Sequence, residues 1–202
     1  MATHDLARRA VPKAQPASAA GGPRIFFRGI TLIETLLVLA ISAILLSAAL
    51  PNWAQFLHTR RLERVAGELL ADLQWVRTEA VMRNTPLRIS FQSPAFGDCY
   101  VVHGGPANSC TCRADNTAQC DAGSPLLKTV QLQAAGTERV QLRSNASNLL
   151  FDPSHGTSTP TGTLRVVSPD GREVRHIVNV MGRVRSCSPA EAASHAAGHV
   201  NC

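Results

Sequence analysis

Apolar residues fall into three patterns along this chain, and each predicts a different element. Residues 30–50 are apolar almost throughout: 21 positions without Lys, Arg, Asp, Pro or Gly, carrying one acid, Glu34. At about 1.5 Å per residue, a helix of that length covers about 30 Å, the thickness of a bilayer's hydrocarbon core. Beyond it, Leu62, Val65, Ala66, Leu69, Leu73, Val76 and Ala80 recur at steps of three and four, with Arg64, Glu68, Asp72 and Glu79 on other faces. That spacing predicts that the helix continues as an amphipathic one, and Asn84-Thr85-Pro86 ends it. From Leu87 the period shortens towards two. Residues 87–91, 100–102, 127–132, 140–142, 149–151, 164–167 and 174–180 are predicted strands, with Ser168-Pro169-Asp170-Gly171 a hairpin turn between the last two. The expected fold class is α+β: a long N-terminal helix, hydrophobic then amphipathic, packed on an antiparallel β-sheet.

Two polar exceptions sharpen the first pattern. A carboxylate inside a spanning run is expensive, which makes Glu34 a functional candidate. Pro51 removes one helix hydrogen bond and is expected to kink the helix where the run ends. The run is too long for the core of a cleaved secretory signal, and it passes into helical sequence rather than a small-x-small cleavage site. A plain single-span anchor explains neither Glu34 nor the Gly29–Ile30 junction.

The residues at that junction, Arg28-Gly29-Ile30-Thr31-Leu32-Ile33-Glu34, resemble the prepilin processing site of type IV pilins and type II secretion pseudopilins. The resemblance implies cleavage after Gly29 by a membrane prepilin peptidase and N-methylation of Ile30. Phe is the usual first residue, so Ile30 is a conservative departure. It places Glu34 at mature position five and Pro51 at twenty-two, both landmarks of pilin helices. It also implies a role for Glu34: pairing with the free amine of a neighbouring subunit's first residue and setting the register of subunits in a filament. The implied organisation is a cytoplasmic leader over 1–29 (removed), a transmembrane half of the helix over 30–50, an amphipathic half over 51–84, and a periplasmic β-rich domain over 85–202.

Charge and cysteines agree with that topology. The leader carries Arg8, Arg9, Lys13, Arg24 and Arg28 against Asp5, a basic segment that favours the cytoplasmic side. Arg60, Arg61 and Arg64 lie beyond the run, but further from it. All six cysteines, Cys99, Cys110, Cys112, Cys120, Cys187 and Cys202, follow the run. An even count in a small extracytoplasmic domain points to disulfides. Cys187 and Cys202 are expected to close a C-terminal loop, and the other four allow three pairings. The segment 94–124 reads as a long loop held by them. The alternative is a zinc site on Cys110, Cys112, Cys120 and His103, but C-x-C-x7-C lacks the C-x2-C knuckles of structural zinc.

The C-terminal half resembles the GspH/FimT branch of minor pilins. The resemblance lies in Leu150-Phe151-Asp152-Pro153 through Gly156, in Gly162-Thr163-Leu164, and in Val178-Asn179-Val180-Met181-Gly182-Arg183-Val184-Arg185. The last stretch is similar to the Gly-Arg-x-Arg motif through which some FimT-type minor pilins bind DNA during natural transformation. In an extended segment Arg183 and Arg185 project on one side and can fork onto successive phosphates. Arg172 and Arg175, and Arg165 if it faces the same way, would widen the patch. The plain alternative is an edge strand with solvated charges. Without residues 1–29 the net charge is +2, from 15 basic and 13 acidic residues, so most of the whole-chain +6 sits in the leader.

No catalytic signature stands beside these motifs. His4, His58, His103, His155, His176, His195 and His199 are scattered, and Asp152-Pro153-Ser154-His155 reads as a turn. The expected function is therefore non-enzymatic and needs no cofactor: a minor pilin or pseudopilin of an inner-membrane type IV pilus or type II secretion pseudopilus. Its partners are the peptidase, other pilin subunits and, in the DNA-uptake reading, double-stranded DNA bound without sequence preference. The alternative is a type II secretion pseudopilin with no DNA-binding role.

Overall fold

Thr31 starts the helix that the apolar run predicts. The Glu34 backbone N–H donates to the Thr31 hydroxyl at 3.3 Å and to its carbonyl at 3.1 Å, so Thr31-x-x-Glu34 forms the N-terminal half of a capping box. The computed structural model describes residues 29, 31–132, 139–191 and 193–202, without the side chains of 48–52. Residues 1–28 of the expected leader, and Ile30, lie outside the described residues.

Helix α1 (Leu32–Arg83) runs through Pro51 as one element, so no new helix starts there. Its end is a Schellman motif: Thr85 N–H bonds the Ala80 carbonyl, Asn84 N–H bonds the Val81 carbonyl, and Asn84 takes φ 50°. Pro86 then forbids a further turn. The chain divides into two units, Met1–Ile44 and Leu45–Cys202. In the first, the apolar side chains of α1 are bare, Leu32 at 77% and Leu37 at 60% exposure. Among the described residues no helix is long and apolar enough to cross a membrane. The stretch of the expected span with described side chains, 32–47, would cover only about 24 Å as a helix.

In the second unit the amphipathic stripe is core. Leu62, Leu69, Leu73, Val76 and Ala80 are buried against the inner faces of two antiparallel sheets. Among the described residues, eleven strands follow the helix: β1 (Leu87–Gln92), β2 (Cys99–Gly104), β3 (Cys110–Cys112), β4 (Ala118–Cys120), β5 (Leu126–Gln131), β6 (Gln141–Ser144), β7 (Asn148–Phe151), β8 (Ser158–Thr159), β9 (Gly162–Val167), β10 (Glu173–Val178) and β11 (Val184–Cys187). One sheet has the order β5-β2-β1-β7-β8, the other β11-β10-β9-β6, and β3-β4 form a small ribbon. The single expected sheet is thus two. The expected 94–124 loop contains all of β2 and the whole ribbon. Cys110–Cys120 joins directly opposed ribbon positions, and Cys99–Cys112 ties the ribbon to β2. The Gln92 side chain clasps the ribbon as well, donating to the Cys110 carbonyl at 2.7 Å and accepting the Cys112 N–H at 2.9 Å. Cys187 is bonded to Cys202, and with all six cysteines oxidised no thiolate remains for zinc.

Three polar groups fasten the sheets to the helix. Tyr100 donates its hydroxyl to buried Asp72 at 2.7 Å, and Lys128 reaches the same carboxylate at 2.7 Å. Burial and then the Asp72 bond push the Tyr100 pKa far up. Burial opposes the Lys128 charge, but Asp72 and Glu68 outweigh it and hold that pKa above its usual value. His176 lies between β10 and α1, with Nε2 donating to the Ala66 carbonyl at 2.9 Å and Nδ1 accepting from the Ser186 hydroxyl at 2.8 Å.

Burial lowers the His176 pKa to about 4 from 6.5. The unfolded chain therefore takes up the proton first, so this contribution to stability is complete above about pH 6.5 and declines as pH falls towards 4. We expect about 2 kcal/mol less stability at pH 5 than at pH 7 from this group alone. Urea unfolding across that range checks it, and a His176→Gln protein with an equally steep pH dependence would refute the assignment.

Candidate functional site

Two places could contact something outside the chain. The first is the start of α1, where Gly29 and Glu34 are exposed and Glu34 is surrounded by bare apolar side chains. Among the described residues of Met1–Ile44 there is no Lys or Arg beside that carboxylate.

The second place is the β10–β11 hairpin. Its turn is closed by Gly182 N–H to the Asn179 carbonyl at 2.9 Å and Asn179 N–H to the Arg183 carbonyl at 3.1 Å. Gly182 has φ 68°, and a Cβ there would stand 2.2 Å from the Gly156 carbonyl oxygen. Arg77 of α1 donates its Nε to that same carbonyl at 2.9 Å. The glycine of Gly-Arg-Val-Arg is thus required by the fold, since no side chain fits between the turn and the helix. The expected strand over 174–180 stops at Val178 for the same reason.

Arg183 and Arg185 flank Val184 with the same strand parity, both exposed, and neither meets a carboxylate among the described residues. The other expected members of the patch are engaged. Arg172 lies beside Asp170 at 3.4 Å and donates to the Thr59 hydroxyl of α1 at 2.5 Å, leaving its side chain 20% exposed. Arg175 pairs with Glu173 at 2.5 Å, while Arg165, at 3.7 Å from the same carboxylate, stays half exposed. Arg172 is therefore a strut between the β9–β10 turn and α1.

Arg143 is the residue that sequence reasoning did not single out. It is exposed on β6 and lies directly opposite Arg165, which lies opposite Arg175. No local motif marks it, because only strand register brings it there.

The buried Ser90–His103 pair, Oγ to Nε2 at 2.8 Å, is closed to solvent, and His103 Nδ1 donates to the Gly104 carbonyl at 2.9 Å. It links β1 to β2 and offers no approach to a substrate. Among the described residues no cluster of His, Cys, Asp and Glu could hold a metal ion.

The family model described as type II transport protein GspH matches residues 65–182. Among solved structures, the chain is similar to the type IV minor pilin FimU of Pseudomonas aeruginosa in two crystal forms. The first has 19% identity and a TM-score of 0.48 over 65% of this chain and 95% of that one. The second has 19% identity and a TM-score of 0.45 over 64% and 98%. It is also similar to the minor pseudopilin EpsH from the type 2 secretion system of Vibrio cholerae, with 18% identity and a TM-score of 0.44 over 64% and 98%. No curated protein matches the sequence.

Proposed function

The chain belongs to the GspH family of type II transport proteins, within the type IV pilin-like superfamily, and from that premise we propose that it is a filament-assembling minor pilin or pseudopilin held in the inner membrane until it is incorporated. Residues 30–50 are the span, the leader 1–29 stays cytoplasmic until the prepilin peptidase cuts after Gly29, and the 85–202 domain lies in the periplasm, where disulfides persist. Pro51 bends the helix at the membrane boundary. The observation that carries this reading is the contrast along α1. Apolar residues of its first unit are uncovered, whereas the stripe Leu62, Ala66, Leu69, Leu73, Val76 and Ala80 is in the core. A helix bare at its start needs an apolar solvent or packed neighbours, and a membrane followed by a filament supplies both in turn.

Glu34 is the assembly residue of this reading. Once Ile30 is the N-terminus, a neighbour's α-amine can neutralise the carboxylate, and an unpaired one inside the bundle would cost several kcal/mol.

Arg183 and Arg185 support a second role, capture of double-stranded DNA for uptake, because they are exposed, share strand parity and lack carboxylate partners among the described residues. Two phosphate contacts give weak binding whose log–log salt slope is about −2. The test is a duplex titration of the oxidised protein in non-ionic detergent over a series of salt concentrations. Arg183→Ala with Arg185→Ala is expected to weaken binding by more than about tenfold at low salt and flatten the slope by about 2. If the double variant binds as tightly as the parent, the DNA role is lost and the pseudopilin role stands alone.

A further inference from the structure

The outer face of the β11-β10-β9-β6 sheet carries a row of like charges that the hairpin motif does not explain. Arg143 of β6 is directly opposite Arg165 of β9, and Arg165 is directly opposite Arg175 of β10. In the next row, Ile177 of β10 faces Arg185 of β11. The alternation of the strands makes these arginines outward-facing, since the intervening residues Leu142, Leu164, Val166, Val174, His176 and Val178 are buried. Neighbouring strands lie about 4.8 Å apart, so three guanidinium roots stand in line across about 10 Å.

Like charges directly opposite one another destabilise a sheet. One carboxylate, Glu173, stands among the paired positions of this face, and it contacts two of the three arginines, Arg175 at 2.5 Å and Arg165 at 3.7 Å. Among the described residues, Arg143 meets the neutral Gln141 amide oxygen, at 3.0 Å, and no carboxylate. The row keeps a net positive charge at regular spacing, and Arg185 and Arg183 carry it on to the hairpin. A single small anion would satisfy one end of such a row. A polymer with one charge per repeat satisfies all of it.

We propose that a DNA backbone crosses the strands of this sheet, with phosphates on Arg143, Arg165 and Arg175 and onward to Arg185 and Arg183, and that Glu173 limits its affinity by competing for Arg165 and Arg175. This rests on the DNA-binding reading of the hairpin and extends it from a two-residue contact to a five-arginine track. The track gives Arg143, more than thirty residues before the motif, a direct part in binding.

The experiment uses the oxidised full chain in non-ionic detergent and a fluorescent duplex of mixed sequence, with Kd measured against NaCl. The intact protein is expected to show a log–log slope of about −4, steeper than two contacts can give. Arg143→Gln with Arg165→Gln should flatten it to about −2. Glu173→Gln should bind severalfold tighter with a steeper slope, a gain that a damaged fold would not produce. If the intact slope is about −2 and neither Arg143→Gln with Arg165→Gln nor Glu173→Gln changes binding, while Arg183→Ala with Arg185→Ala abolishes it, the track is overturned and the hairpin reading survives. If the intact chain binds no duplex, both fail together.

Discussion

Glu34→Gln is expected to leave cleavage after Gly29 intact and to remove the subunit from filaments, reducing its share in sheared filament fractions to background. Gln keeps the size of the side chain and its capacity to complete the capping box with Thr31, so the helix start should survive. The substitution removes only the charge. A neighbour's α-amine buried in an apolar bundle would then have no counter-ion, a loss of several kcal/mol at each subunit contact. The mature mass of the membrane-bound protein reports processing, and immunodetection in the sheared fraction reports incorporation. A Glu34→Gln subunit recovered in filaments at the parental level would end the assembly role of this residue.

Two identical substitutions on α1 should have opposite consequences. Leu73→Ala, at a fully buried position, deletes contacts in the core shared by the helix and both sheets. We expect it to cost about 4 kcal/mol, from lost transfer energy plus the cavity left behind. Leu37→Ala, at a bare position in the first unit, should leave the unfolding of the disulfide-bonded domain unchanged within about 0.5 kcal/mol. Urea unfolding in non-ionic detergent, followed by the near-ultraviolet signal of Tyr100 and Trp75, measures both. Equal costs at the two positions would contradict the division of α1 into a core half and an uncovered half.

The long periodic elements were legible because their signals are local. The apolar stripe from Leu62 to Ala80 needs only the helical repeat to be recognised, and Asn84-Thr85-Pro86 ends it by its own backbone preferences. The Ser168–Gly171 turn is equally local, with Gly171 N–H bonding the Ser168 carbonyl at 3.0 Å. The strands missed are those whose existence depends on distant partners. Cys110–Cys112 is too short to show alternation, and it becomes a strand because Gln92 and two disulfides hold it against β2. The four residues of β11, Val184–Cys187, lie beyond the predicted 174–180 strand and carry two polar side chains, Arg185 and Ser186, so no apolar run marked them. The break after Val178 comes from Gly182 fitting under the Gly156 carbonyl, a contact between segments far apart in sequence.

The order of residues was enough to establish a helix with an apolar start and an amphipathic continuation, a lone acid near its beginning, an oxidisable set of cysteines, and an arginine pair near the C-terminus. Each of these is a property of neighbours along the chain, where periodicity and side-chain chemistry act directly. How Cys99, Cys110, Cys112 and Cys120 pair, how the strands divide into two sheets, that Arg172 braces the helix, and that Arg143, Arg165 and Arg175 stand in one row were settled by folding. Those are matters of register, and register follows from the whole pattern of buried faces, because a slip of one residue would exchange Leu164 and Val166 for Arg165 in the core.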